Sequence, residues 1–215
     1  MGGTTPQHRG RYLDFDVMAH REHWDPVTRE LLEQRVEEVP PFRFFDPDER
    51  RTLGAFLDVT LAQVGEPRIP VLNMVDAKLF EGRFDGFVHD DMPRDDETWR
   101  RVAEGLDATA VQHGFERFHL APAETQKRIV EAFHAGELHG RVWDELPCSK
   151  AWSVVMRGAL SEFYSHPWTW NEIGFGGPAY PRGYAAMGAG AKEWWEKDAE
   201  LDADPVVDTK ERGLE

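Results

Sequence analysis

Between positions 166 and 184 the chain gathers its most chemically capable side chains: His166, Asn171, Glu172, Arg182 and Tyr184, set among Trp168, Trp170, Phe175 and Tyr180. A histidine and a glutamate such as His166 and Glu172 can form a general acid–base pair. Aromatic faces beside Asn, Glu and Arg can hold a sugar. The same residue types are enriched where proteins dock on one another, and Arg182 has the fork geometry to grip a partner's carboxylate, or else a local acid. A third use is plain closure, with the aromatics buried over the helices before them. Docking is the leading use and the other two stay open. A hydride acceptor is missing. Gly174-Phe175-Gly176-Gly177-Pro178 lacks the Gly-x-Gly-x-x-Gly spacing, a preceding strand and a Walker lysine. There is also no Cys set for an iron–sulfur cluster or haem attachment.

Other candidates are weaker. His20 and His23 stand three apart, flanked by Asp16 and Asp25, but no HExxH motif is present, so surface histidines at a helix entry are the expectation. His134 and His139 would meet only if a helix ran through Gly136. Asp85, Asp90 and Asp91 lack the alternating acids and terminal Glu of a calcium loop, and read as a solvated acidic loop. Cys148 is the one cysteine of the chain. It rules out an internal disulfide and reads as a small, partly buried residue, with a disulfide to a partner as the sharper alternative.

The chain has 215 residues, 40% of them hydrophobic and 12% aromatic, which suffices for one domain with a sizeable core. A formal net charge of −15 argues against nonspecific nucleic-acid binding and against anionic membrane surfaces. No apolar run is long enough to span a bilayer, so direct membrane insertion is not expected.

The elements that must position these residues are helical. Asp25-Pro26 opens a first helix with Leu31, Leu32 and Val36 on one side, ending before Pro40-Pro41. Asp46-Pro47, with Glu49 three after the cap, opens a second, with Leu53, Phe56, Leu57, Leu61 and Val64 as its stripe. A third runs from about Val71 to Phe80, with Leu72, Val75, Leu79 and Phe80 inward. A fourth reaches about His113, with Trp99, Val102, Leu106 and Ala110 inward. A fifth, with Ile129, Val130 and Phe133, closes at Gly136, and a packed connector or short helix follows to Pro147. The sixth begins around Ser149 and has the best pattern: Trp152, Val155, Met156, Ala159, Leu160, Phe163 and Tyr164. Tyr12 to Met18 reads as an extended segment, the aromatic stretch from His166 as an ordered irregular loop, and Glu193 to Glu196 as a last short helix. The sequence thus predicts an all-α fold: one irregular helical domain of about six helices over residues 12–200 with a long ordered Gly/Pro/aromatic C-terminal loop. A disordered N-terminus over 1–11 and an acidic disordered tail over 201–215 flank it.

The run Trp170-Asn171-Glu172-Ile173-Gly174-Phe175-Gly176-Gly177-Pro178-Ala179-Tyr180-Pro181-Arg182-Gly183-Tyr184 strongly resembles the C-terminal signature of the gluconate 2-dehydrogenase subunit 3 family. Echoes lie upstream in His23-Trp24-Asp25-Pro26, Phe44-Phe45-Asp46-Pro47-Asp48-Glu49 and Phe163-Tyr164-Ser165-His166-Pro167, so the resemblance runs from about Tyr12 to Tyr184. It implies a mainly helical accessory subunit of membrane-associated, FAD-dependent sugar or alcohol dehydrogenases, with no catalytic residue and no cofactor in this chain. The FAD would sit in a large partner of the glucose-methanol-choline type, which often passes electrons to a cytochrome c subunit carrying haem. His166, Trp168, Trp170, Asn171, Glu172, Phe175, Tyr180, Arg182 and Tyr184 then become the expected partner-binding residues. Many members carry a twin-arginine signal and help to export their partner. Met1–His20 has neither a hydrophobic stretch nor paired arginines. The expectation is a cytoplasmic protein, the alternatives being export with a signal-bearing partner or a trimmed chain.

Overall fold

The computed structural model describes residues 2–7, 12–63, 65–84, 86, 90–182 and 192–197. The α-helices are α1 (Pro26–Glu37), α2 (Pro47–Thr60), α3 (Val71–Phe80), α4 (Asp95–Gln112), α5 (Ala123–Ala135), α6 (Arg141–Glu145), α7 (Cys148–Tyr164) and α8 (Pro167–Ile173). Short 3-10 helices cover Val17–His23 and Phe118–Leu120, and no strand occurs among the described residues. The fold is all-α, as the periodicity predicts. None of the described helices is long and apolar enough to cross a membrane.

Helix α2 starts where its sequence says it must. The Asp46 carboxylate accepts from the N–H groups of Asp48 and Glu49, and Glu49 accepts from the Asp46 N–H at 2.9 Å, a reciprocal capping box. Its face of Leu53, Phe56 and Leu57 is buried. Helix α7 packs against α3, α4 and α5, while α2 packs against α3, α4 and α5. Trp99, Phe56, Phe133 and Leu106 fill the space between them and are fully enclosed.

Two stretches differ from expectation for local reasons. The last two residues of the expected extended segment, Val17 and Met18, instead open a 3-10 helix over Val17–His23, because the Asp16 carboxylate accepts from Met18 N–H and caps it. The chain after His166 forms α8 before it becomes irregular. Pro167 stands at the first helical position, where its missing N–H costs nothing, so it opens a helix instead of breaking one. Glu193 to Glu196 is a turn, not a helix. The expected inward stripe of α7 is also rotated. Ala151, Val154, Val155, Ala159 and Phe163 are buried, whereas Tyr164 is half exposed and Leu160 lies at the surface. On α3, Phe80 points outward under the Arg43 guanidinium.

The approach to α2 is held by Asp76 on α3, which is fully buried. Its Oδ1 accepts from Arg43 N–H at 2.7 Å and its Oδ2 from Phe45 N–H at 2.8 Å, with Phe44 N–H at 3.1 Å from both. A buried carboxylate is tolerated only when its oxygens are satisfied in this way. Asp76→Ala strands three amide donors in the interior, and the expected cost is about 3 kcal/mol of stability, read as a lower urea midpoint at unchanged m-value.

Candidate functional site

A second, smaller cluster lies apart from the main core: Tyr12, Phe15, Val17, Trp24, Leu32, Trp170 and Trp195, with Met18 against it. It joins the first part of the chain to the signature stretch. Asn171 is the connector. Its Oδ1 accepts from Val17 N–H at 2.8 Å and its Nδ2 donates to the Thr4 carbonyl at 2.9 Å. Gly3 N–H donates to the Phe15 carbonyl and Thr5 is buried, so residues 2–7 lie along the same cluster.

The glycines are the points where backbone and rings nearly touch. At Gly174 φ is +73°, and a Cβ there would lie 2.8 Å from the Tyr12 ring. Gly177 has φ +83°, and a Cβ would lie 2.6 Å from Trp24 Cζ2. Both combine the left-handed region with a close approach, which glycine alone satisfies without strain. The carbonyl of Gly176 accepts from Trp195 Nε1 at 3.0 Å.

The two histidines weighed for metal have a different role. Three apart on a 3-10 helix, they lie nearly one above the other. His20 and His23 stack on Trp195 with ring centroids at 5.0 and 4.7 Å. The Arg182 guanidinium lies 4.9 Å from the same indole. Among the described residues no group of three or more His, Cys, Asp or Glu could hold a metal ion. Cys148 is buried, its thiol pKa is raised by that burial, and its Sγ lies 3.6 Å from the Phe133 carbonyl. Helix α5 ends at Gly136, so His134 and His139 share no helix. Asp91 pairs with Lys150, and Asp85 lies outside the described residues.

The residues expected to dock a partner divide sharply by exposure. His166, Trp170 and Asn171 are buried, and Trp168 is half-buried against the main core. Trp170 Nε1 donates to the Tyr164 carbonyl at 2.7 Å. Arg182 donates to Glu193 at 2.8 Å, to the Pro178 carbonyl at 2.9 Å and to the His23 carbonyl. Its guanidinium therefore serves the local acid and two carbonyls. Glu172 is half-buried. Phe175 and Tyr180 are exposed, at 40% and 67%, and Tyr184 lies outside the described residues. The sequence reading missed Ile173 as a surface residue; it is 52% exposed. Beside Trp170 the Phe175 ring meets the indole edge-on at 5.5 Å, the Tyr164 backbone carbonyl accepts from its Nε1, and Ile173 follows three residues later on the same helix. Tyr164, Ile173 and Phe175 thus leave exposed side chains near a buried indole.

His166 shows what the polar set can do chemically. Its Nδ1 accepts from Trp168 N–H at 3.2 Å, so the proton sits on Nε2, which donates to the Arg35 carbonyl at 3.0 Å. Both nitrogens are committed, and the ring is 1% exposed. Burial lowers its pKa from 6.5 to about 4, with the nearby Arg35 charge adding to the effect and the carbonyl bond opposing it. This imidazole caps α8 and has no free lone pair to act as a general base.

The family model described as Gluconate 2-dehydrogenase subunit 3 matches residues 47–177, from the first residue of α2 to Gly177. Comparisons with curated proteins and with solved structures return no match.

Two outcomes follow from these contacts. The unfolded chain takes a proton on His166 near pH 6.5 and the folded chain only near pH 4. The stabilising contribution is therefore complete above pH 6.5 and is lost as pH falls towards 4, by about 3 kcal/mol. His166→Asn keeps a capping oxygen but cannot titrate. Its unfolding free energy, followed by urea denaturation, should fall less steeply over that window, and identical slopes would refute the assignment. Gly177→Ala combines strain with overlap against Trp24 and should cost about 2–4 kcal/mol. Limited proteolysis should then cut faster between Gly174 and Lys197.

Proposed function

Because the chain belongs to the gluconate 2-dehydrogenase subunit 3 family, we propose that it is the small, non-catalytic subunit of an oxidoreductase. It binds and stabilises, or matures, a large FAD-dependent partner of the glucose-methanol-choline type. The flavin in that partner takes hydride from a sugar or polyol, and electrons pass onward, to a cytochrome c subunit where one is present. This chain supplies surface, not hydride chemistry.

The observation that carries the reading, beyond the family match, is the exposure of Tyr164, Ile173 and Phe175 near the buried Trp170. Large apolar side chains held rigidly at the surface are the usual core of a docking patch, since little side-chain freedom remains to be lost on binding. Tyr180 adds a further exposed ring along the same stretch. The rival use of the 166–184 stretch, a pocket with His166 as base, has no support from an imidazole whose two nitrogens are both occupied.

The test is gentle affinity purification of the tagged chain from its native host, with an absorption spectrum and mass spectrometry of what accompanies it. A stoichiometric yellow flavoprotein is the expected result. A colourless monomer with no partner after crosslinking would overturn the reading. In the same assay Ile173→Asp with Phe175→Asp should cut flavoprotein recovery at least about tenfold while helix content stays unchanged.

A further inference from the structure

Three glycines lie inside the described helices, and two of them have packing reasons. A Cβ at Gly105 would overlap the Trp143 ring at 2.5 Å, and one at Gly158 would press on Trp99 at 3.3 Å. Gly54, in the middle of α2, has no such reason. A Cβ there would meet nothing closer than Leu72 Cδ2 at 4.0 Å, an ordinary contact. Glycine is a poor helix former, so an open glycine at mid-helix weakens α2 with no gain in packing.

Gly54 instead lines a cleft of about 280 Å³ between α2 and the start of α3. Leu57 and Leu72, both buried, line it with Phe42, and its charged groups are Arg50, Arg51, Arg68 and Asp58. Arg51 pairs with Asp48, and Arg68 with Asp58 and Glu66. Arg50 differs. Its Nε donates to the Phe45 carbonyl at 2.7 Å and its guanidinium carbon lies 4.7 Å over the Phe42 ring. It forms no ion pair among the described residues. This occurs in a chain with 40 acidic residues against 25 basic ones. Asp58, the acid in the lining, is taken by Arg68, so a guanidinium held by a carbonyl and a ring, with no ion pair of its own among the described residues, is already oriented for a carboxylate from outside.

We infer that this cleft is a second docking site, taking an extended segment of the flavoprotein partner in which a carboxylate side chain stands beside an aliphatic one. The carboxylate meets the free edge of the Arg50 guanidinium. The aliphatic group lies on Leu57 and Leu72 in the space that a side chain at position 54 would fill. The inference rests on the subunit reading and adds a contact to it.

The test measures affinity of the purified chain for its co-purified flavoprotein by interferometry. Gly54→Ala should raise the melting temperature. Gly54→Leu and Arg50→Gln, with helix content preserved, should each weaken binding at least about tenfold, with Arg50→Lys intermediate. Folded variants that bind within about twofold of the parent would overturn the cleft as a contact. If Gly54→Leu fails to fold, Arg50→Gln and Arg50→Lys decide. A cleft failure leaves wild-type co-purification intact and the Ile173/Phe175 double variant still impaired. If the wild-type chain captures no flavoprotein, the subunit reading and the cleft fall together.

Discussion

Three consecutive backbone N–H groups, from Arg43 to Phe45, converge on the buried Asp76 carboxylate, and the arrangement of the helices follows from that convergence. It fixes the turn that delivers Asp46 to the start of α2. The same turn offers its carbonyls outward: Phe44 O accepts from Arg100 on α4 at 2.7 Å and Phe45 O from Arg50 on α2. One carboxylate on α3 therefore sets the position of α2 and, through Arg100 and Glu49, ties both to α4. Asp107 plays a comparable part across α4, accepting from Thr52 Oγ1 at 2.8 Å and Phe118 N–H at 2.9 Å. Buried carboxylates satisfied by backbone donors give direction as well as energy, because their acceptor geometry admits few arrangements.

The signature stretch works on a different principle. Its binding groups are turned inward: Asn171 grips two segments from the start of the chain, His166 caps its own helix, and Arg182 closes on Glu193. What remains outside is apolar. A site for chemistry would show the reverse, with polar groups free and rings behind them. Residues that read as one constellation in sequence thus separate into a buried base and an exposed edge.

Helix starts were the most legible part of the sequence. Asp25-Pro26 and Asp46-Pro47 carry their own physics, and the stripes of α4 and α5 are buried as read, as is that of α2 from Leu53 to Leu61, Val64 lying outside the described residues. Helix α8 was not legible, because Pro167 among glycines and aromatics reads as a breaker until His166 is seen to supply the cap. Asp76 was missed since one acid beside Val75 and Leu79 looks like the wet side of a helix; only the fold brings three amides to it. The site was legible as a stretch but not residue by residue. The family-like run was plain, yet whether Trp170 or Phe175 faced outward depended on contacts with Tyr12–Trp24, which lie far away in sequence. The stack of His20 and His23 on Trp195 depends on a similar long-range meeting, and only the spacing of the two histidines hinted at it.

The small aromatic cluster is assembled from opposite ends of the described chain: Tyr12 to Leu32 on one side, Trp170 and Trp195 on the other. During synthesis the first set emerges early and has no lining until the last helix and turn have left the ribosome. The main core, built from α2 to α7, needs none of these residues. A helical body whose core contains none of them can collapse before the apolar seam closes, since the seam needs Trp170 and Trp195. A chain stopped before Trp170 would leave Val17 and Trp24 without the two indoles that complete their cluster.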